Sequence, residues 1–207
     1  MEKLFIMGAG QNAEVVHYYF TKAAHANIVG FVVDGEFLNE DSLFGLPVVD
    51  PDKAKKMWPP TEVGAFCAFS SRNQNRDRFE GVQRLTSWGY SLASFLHPSA
   101  HAYDGFVLQE NVLILENNIL QYGSTVGRNT FIWSSNHIGH HTRIDENVFI
   151  ASEVVVSGDV SIGPFSFLGV NSTVTDGVNL AESTFVSAMG LVSRDTHPGE
   201  RIRPVGR

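Results

Sequence analysis

Side chains able to bind a substrate or move a proton are concentrated in one short stretch, Asn136-His137-Ile138-Gly139-His140-His141. The imidazole of histidine gains and loses its proton near neutral pH, so it can serve as a general acid or base. Neutral imidazole is also a common ligand of zinc and related metal ions. The stretch therefore predicts either proton transfer on a bound substrate or a metal centre, depending on how the fold holds these side chains.

The residues around this stretch follow a six-residue period. Aliphatic side chains occupy every sixth position from Leu108 to Val192 without an insertion, fifteen positions in all. A period of six fits neither the repeat of an α-helix nor the two-residue alternation of a strand. It predicts a parallel β-helix of about five coils, three hexapeptides to a coil, with the aliphatic residues inside. Ile138 is one of these anchors, so His140 and His141 are predicted to lie near a corner and to point outward.

The N-terminal half has the pattern of a small parallel α/β domain. Strands are predicted at residues 3–7, 28–33, 63–69 and 91–96, and helices at about 11–22 and 75–88. Glycines in the turn after the first strand let a phosphate approach the N-terminus of the next helix. The residues predicted to bind substrate here are Gly8, Ala9, Gly10, Gln11, Asn12 and Asp34. About 95 residues are too few for a complete dinucleotide fold, which favours a nucleotide-linked ligand over intact NAD.

These patterns give a predicted fold class of α/β plus all-β. A small Rossmann-like domain is expected over residues 1–96, followed by the β-helix and a short tail over residues 97–207. The net charge of −7 comes without any basic stripe, which argues against nucleic acid as a partner. No apolar run is long enough to span a membrane, and the N-terminus does not read as a signal peptide, so a cytoplasmic protein is expected.

A short glycine-rich α/β domain joined directly to hexapeptide repeats resembles one family of sugar acetyltransferases, over nearly the whole chain. Its typical members are the sialic acid O-acetyltransferases and the bacillosamine-pathway amino-sugar N-acetyltransferases. The resemblance implies a left-handed β-helix, acetyl-CoA as cosubstrate, a homotrimer, and a nucleotide-linked or free sugar as acceptor. One departure lies in the glycine loop, where Gln11 and Asn12 stand in place of the second glycine and the histidine of the family pattern Gly-x-x-Gly-His-Gly.

The same resemblance assigns roles to residues of the β-helix. His140 matches the catalytic histidine, with the amide of Gly158, 18 residues later, as the oxyanion donor. His141 stands where bacillosamine-pathway relatives carry an acidic residue, and it is expected to assist His140 or to contact the acceptor. Asn136 and His137 are predicted to bind the acceptor. Residues predicted to line the coenzyme groove are Phe149, Gly158, Val170 and Ala188.

Several alternatives remain open at the level of sequence. N-acetylation of a nucleotide-linked amino sugar is favoured over sialic-acid-type O-acetylation because of the glycine loop and Asp34, but both use the same machinery. A γ-type zinc carbonic anhydrase would hold metal with His137, His140 or His141, yet no further histidine follows between His141 and Val192. No metal is therefore expected. A third possibility is a non-catalytic trimeric scaffold that binds nucleotide sugars.

Overall fold

A computed structural model describes residues 3–24 and 26–204, so the predicted domain limits at residues 1 and 207 lie outside it. The chain divides into two compact units. The first comprises Met1–Ser70 and Asp77–Ala93, and the second comprises Ser71–Arg76 and Ser94–Arg207. Among the described residues, no helix has the length and apolar character needed to span a membrane.

The first unit is built on a five-stranded sheet. Its elements in chain order are β1 (Lys3–Met7), α1 (Gln11–Lys22), β2 (Asn27–Val32), β3 (Ser42–Leu43), β4 (Leu46–Val49), α2 (Pro51–Met57), β5 (Gly64–Cys67) and α3 (Arg76–Ser87). A short 3₁₀ turn lies at Gly35–Phe37, and another, Arg72–Asn75, belongs to the second unit. The sheet order is β3-β4-β2-β1-β5, and only the β3–β4 pair is antiparallel.

The register of this sheet positions the predicted glycine loop. Met7 of β1 pairs with Val32 of β2 in parallel, so the two strands end at the same edge. Gly8 follows directly after Met7, and Asp34 comes two residues after Val32. The apolar run of β1 forms a strand because four of its five side chains are buried in the sheet core. The loop and the acidic residue thus lie at the carboxyl edge, where parallel sheets commonly bind ligands.

Three elements of this unit were not predicted, and one predicted strand forms only at its last two residues. The β3–β4 hairpin and α2 lie between residues 42 and 57, where the sequence prediction had no element. Of the strand predicted at 91–96, only Phe95–Leu96 forms. Leu92 makes only an isolated bridge to Ala65. Phe95–Leu96 instead pairs with Leu113–Ile114 and so belongs to the second unit.

The second unit is a parallel β-helix with three sheets, each made of two-residue strands. The first sheet, which we call the aromatic face, contains Phe95–Leu96, Leu113–Ile114, Phe131–Ile132, Phe149–Ile150, Phe167–Leu168, Phe185–Val186 and Arg201–Ile202. The second, the histidine face, contains His101–Ala102, Ile119–Leu120, His137–Ile138, Val155–Val156, Thr173–Val174 and Leu191–Val192. The third, the polar face, contains Thr125–Val126, Arg143–Ile144, Ser161–Ile162 and Asn179–Leu180.

The predicted aliphatic period forms the core of this unit. The anchors from Ile114 to Val192 are buried in a single apolar cluster, and Leu108 packs against it while partly exposed. Each rung pairs with the residue 18 positions away, as His137 does with Ile119 and Val155. The β-helix begins at Phe95, before the first predicted anchor Leu108, because Phe95 and His101 already pair with the following coil.

One corner of the β-helix is held by a ladder of buried asparagines. Asn111, Asn129 and Asn147 are stacked in successive coils. The amide nitrogen of Asn111 donates to the side-chain oxygen of Asn129, and that of Asn129 donates to the side-chain oxygen of Asn147, both at 2.8 Å. All three adopt positive φ, a conformation that asparagine tolerates better than most residues. The two bonds give partners to buried side-chain amide groups of Asn111 and Asn129.

We expect Asn129→Ala to lower the free energy of unfolding by about 2–3 kcal/mol, because it removes one hydrogen bond on each side and leaves both neighbours with a lost partner. Chemical denaturation of the two proteins measures the difference. A loss below about 0.5 kcal/mol, the range of ordinary surface substitutions, would contradict a structural role for the ladder.

Candidate active site

His140 and His141 lie at the corner between the histidine face and the polar face. Ile138, two residues earlier, is fully buried in the core, and both histidines are exposed. His141 has a φ of +57°, the left-handed conformation that recurs at the corners of this β-helix. The two imidazoles therefore emerge side by side at the surface from a backbone that the core holds rigidly.

A glycine one coil away makes room for the His140 ring. A Cβ atom on Gly158 would lie 2.4 Å from Cε1 and 2.5 Å from Nε2 of His140, and 3.0 Å from an oxygen of Asp176. The backbone N–H of His140 also donates to the side-chain oxygen of Gln121 at 3.0 Å. Gly158 thus leaves space for the His140 ring, while Gln121 holds the His140 backbone.

The two histidines contact each other through their Nδ1 atoms, which are 3.2 Å apart. One ring must donate and the other accept for this to be a hydrogen bond. When Nδ1 of His140 is the donor, its lone pair lies on Nε2, the nitrogen next to Gly158. Tyr122 packs edge-on against His141, with ring centroids 5.7 Å apart. Asp159 lies one coil below His141 and, like the two histidines, is exposed.

An open groove of about 430 Å³ runs beside His140. Two tyrosines on its wall, Tyr103 and Tyr122, contact each other edge to face with centroids 5.6 Å apart. The groove is lined by His101, Ala102, Tyr103, Ile119, Leu120, Gln121, Tyr122 and His140. Aromatic walls with a few polar groups are typical of small-molecule sites.

The predicted acceptor residues Asn136 and His137 have different surroundings. Asn136 is buried inside the coil, where its side chain accepts from the Val154 N–H at 2.7 Å and donates to the Trp133 carbonyl at 2.6 Å. These bonds give Asn136 a structural role, because they hold its amide away from the surface. His137 is half-buried on the histidine face, between Ile119 and Val155.

The residues predicted to contact coenzyme are not gathered around His140. Phe149 lies on the aromatic face, 8% exposed, with its ring stacked on Phe167 at 5.4 Å. Val170 and Ala188 are exposed in successive coils at the corner between the aromatic and histidine faces. Gly158 does lie against His140, but it is buried, and its N–H donates to no acceptor among the described residues. Their coenzyme contacts remain predictions.

In the first unit, the glycine loop is partly open. Gly8 is buried with a φ of +114°, whereas Gly10 and Gln11 are exposed and Ala9 and Asn12 are half-buried. Gly10 caps α1 without any side-chain hydrogen bond, so the first N–H groups of the helix face outward from the loop. Asp34 is paired with Arg84 through two hydrogen bonds, at 2.6 and 2.9 Å. These bonds hold the pKa of the Asp34 carboxyl below its ordinary value.

Sequence reasoning missed four side chains that surround the candidate base. Tyr122 and Asp176 occupy the coil positions 18 residues before and 36 after His140, and Asp159 lies 18 after His141. Counting by 18 from each histidine would have found them. Gln121 lies 19 residues before His140, so this count would not have found it. The single cysteine, Cys67, takes no part, since complete burial raises its pKa to about 12.

Comparisons with known proteins agree with this fold. The family model described as bacterial transferase hexapeptide (six repeats) matches residues 123–158, which include His140 and Gly158. No curated protein sequence matches the chain significantly. A histidine-to-asparagine mutant of perosamine N-acetyltransferase from Caulobacter crescentus, solved with CoA and GDP-perosamine, is 26% identical with a TM-score of 0.88. That alignment covers 100% of this chain and 95% of the other.

Two further solved structures share the fold over almost their whole length. The acetyltransferase domain of PglB from Neisseria gonorrhoeae FA1090 is 20% identical with a TM-score of 0.86, covering 98% of this chain and 97% of the domain. WeeI from Acinetobacter baumannii AYE is 16% identical with a TM-score of 0.81, covering 97% and 96%.

The fold and these matches define the class: the chain is an acyltransferase of the hexapeptide-repeat, left-handed β-helix type. Within that class, the predicted resemblance to the sugar acetyltransferases is confirmed. The α/β unit followed by the β-helix, recognised first in the sequence, is shared with these enzymes from end to end.

Proposed function

We propose that the protein transfers an acetyl group from acetyl-CoA to the amino group of a nucleotide-linked amino sugar. The observation that carries this proposal is the similarity to a perosamine N-acetyltransferase solved with CoA and GDP-perosamine, which extends over the complete chain. The open groove beside His140 supports it, because the candidate base lies on the wall of a cavity large enough for a small ligand.

In the proposed reaction, His140 is the general base. Its Nε2 accepts a proton from the acceptor amine as the nitrogen attacks the thioester carbonyl. The resulting imidazolium returns a proton to the departing CoA sulfur. Because the acceptor attacks the thioester directly, no covalent enzyme intermediate forms. His141 is a positioning residue, because its Nδ1, 3.2 Å from Nδ1 of His140, keeps the lone pair of His140 on Nε2. The Gly158 N–H is proposed as the donor to the developing oxyanion.

The glycine loop of the first unit is proposed to bind the nucleotide diphosphate. Outward-facing N–H groups at the start of α1 suit an anion. Asp34 and Arg84 lie beyond the same edge of the sheet, and their ion pair is only partly buried, so either partner is accessible to a nucleotide.

Gly10→Ala tests this assignment. A Cβ on Gly10 meets nothing within 4 Å, and the φ of −89° suits alanine, so we expect the melting temperature to change little. Because the added methyl group lies where a phosphate would approach the loop, we expect the affinity for a nucleotide sugar to fall at least about tenfold. Calorimetric titration with GDP- and UDP-linked sugars measures this. If Gly10→Ala binds a nucleotide sugar as tightly as the wild type does, the glycine loop does not bind the diphosphate.

A homotrimer in the cytoplasm remains part of the proposal. The histidine face supports self-association, because Ile119, Val155 and Leu191 are each more than 40% exposed in one line along it. Apolar side chains in such a row are typical of a protein interface. Light scattering of the purified protein measures the oligomeric state, and a monomer would contradict the proposal.

The acceptor is tested by following thiol release from acetyl-CoA against a panel of UDP-, dTDP- and GDP-linked amino sugars, together with sialic acid. We expect turnover with an amino sugar and none with the matching sugar that carries a hydroxyl at that carbon. Turnover only with hydroxyl acceptors would establish the O-acetyltransferase alternative. Failure of the folded protein to bind acetyl-CoA would favour the scaffold alternative, and zinc-dependent CO₂ hydration would favour the carbonic anhydrase.

A further inference from the structure

Three side chains at the proposed active-site corner have a geometry that the acetyl-transfer reaction does not require. The ligand atoms of His140, His141 and Asp159 all lie within 4.8 Å of one another, and all three residues are exposed. Among the described residues of the chain, they form the one group of at least three histidine, cysteine or acidic side chains gathered this closely.

The distance between the two imidazole nitrogens is close to that between two ligands of the same metal ion. Nδ1 of His140 and Nδ1 of His141 are 3.2 Å apart. Two nitrogen ligands of a tetrahedral zinc ion, each about 2.0–2.1 Å from the metal, are about 3.3–3.4 Å apart. An ion can therefore bind between the two rings with only a small change in their separation.

Both rings are held in place by their surroundings, so little conformational freedom is lost on binding an ion. The His140 ring packs on Gly158, and the backbone N–H of His140 donates to the side chain of Gln121. His141 packs between the Tyr122 ring and Gly123, where a Cβ would be 3.0 Å from the imidazole. A preorganised ligand pair raises affinity because the ordering cost is already met in the free protein.

The third ligand is supplied by the neighbouring coil. The Asp159 N–H donates to the His140 carbonyl at 2.9 Å, which fixes the backbone of Asp159 beside the two rings. Its exposed carboxylate lies within 4.8 Å of a ligand atom of each imidazole. Two imidazoles and one carboxylate suit zinc, copper or nickel, whereas magnesium and calcium prefer sets of oxygen ligands.

We propose that His140, His141 and Asp159 form a binding site for a zinc-class divalent ion, and that the bound ion inhibits the enzyme. An imidazole that holds a metal through Nδ1 carries its one proton on Nε2, so neither nitrogen can accept the proton of an acceptor amine. The inhibition part rests on the proposed function, since it requires His140 to be the base. The binding part stands independently of it.

Zinc binding is tested on the full chain without an affinity tag, by calorimetric titration with zinc chloride. We expect one saturable site per chain. The variants His141→Asn and Asp159→Asn should each bind zinc more than about tenfold more weakly, because each removes a ligand. His197→Asn is the matched control, since His197 is exposed and lies outside the cluster, and it should bind as the wild type does. No saturable binding, or equal binding by all four proteins, would overturn the site.

Inhibition is tested separately, on turnover of acetyl-CoA with an accepted sugar. We expect zinc chloride to inhibit the wild type and a chelator to restore the rate in full. Asp159→Asn should need more than about tenfold more zinc for the same inhibition. Zinc binding without loss of turnover would overturn the inhibitory role, while the binding site itself would stand. If no sugar is turned over even in chelator, the proposed function fails while the titration still decides whether zinc binds.

Discussion

His140→Ala is expected to lower the rate of acetyl transfer by about 10²–10⁴-fold, the usual contribution of a general base. The imidazole is exposed and lines the groove, so its loss removes the proton acceptor without opening the core. The backbone bond from His140 to Gln121 does not depend on the ring and should survive. The rate is measured as thiol release under saturating acetyl-CoA and sugar.

The control for this variant is His197→Ala, which removes another exposed imidazole from the same unit. Both variants should unfold within about 0.5 kcal/mol of the wild type, as exposed substitutions generally do. Acetyl-CoA affinity should also be retained in His140→Ala. A His140→Ala enzyme that keeps more than a tenth of the wild-type rate would show that another group accepts the proton.

Gly158→Ala is expected to lower the rate by about 10- to 100-fold, because a displacement of a catalytic group by about 1 Å can cost that much. The new Cβ would lie 2.4 Å from the His140 ring, which must swing away. Gly158 does not have a positive φ, so alanine adds no backbone strain there. The measurement is the rate, with circular dichroism and a melting curve to establish that the fold is kept.

Two further variants separate displacement of the ring from damage to the coil. At Gly139 a Cβ would lie 2.4 Å from the Ser157 backbone, which cannot rotate away, so Gly139→Ala should lower stability as well as the rate. In a His140→Ala background, Gly158→Ala should cost neither rate nor stability, because the ring that it displaces is already gone. A further loss of rate in that double variant would mean that Gly158 acts on the reaction by a route other than His140.

The β-helix could be predicted because one physical requirement repeats along it. Every inward position must be aliphatic to fill a narrow core, so Ile138 and its counterparts every six residues stand out in the sequence. Once Ile138 points inward, the turn that follows carries His140 and His141 to the surface. Adding one coil of 18 residues to His141 would also have identified Asp159 as its neighbour.

The parts that escaped prediction depend on contacts distant in sequence or on unusual turns. The β3–β4 hairpin turns through Phe44 and Gly45, both with positive φ, and phenylalanine gives no sign of such a turn. The pairing of Asp34 with Arg84 joins residues 50 apart. Asn136 was predicted to bind the acceptor. Its position two residues before Ile138 places it at the corner instead, where its amide bonds to the next coil.

The most direct test of the central claim is the rate at which the purified wild-type protein acetylates GDP-perosamine with acetyl-CoA, with the product identified by mass. We predict catalytic turnover that yields a product heavier by one acetyl group on the sugar nitrogen, lost in His140→Ala. Related nucleotide amino sugars serve as acceptors if this one is not accepted. A folded protein that binds acetyl-CoA and a nucleotide amino sugar together but transfers no acetyl group would contradict the account.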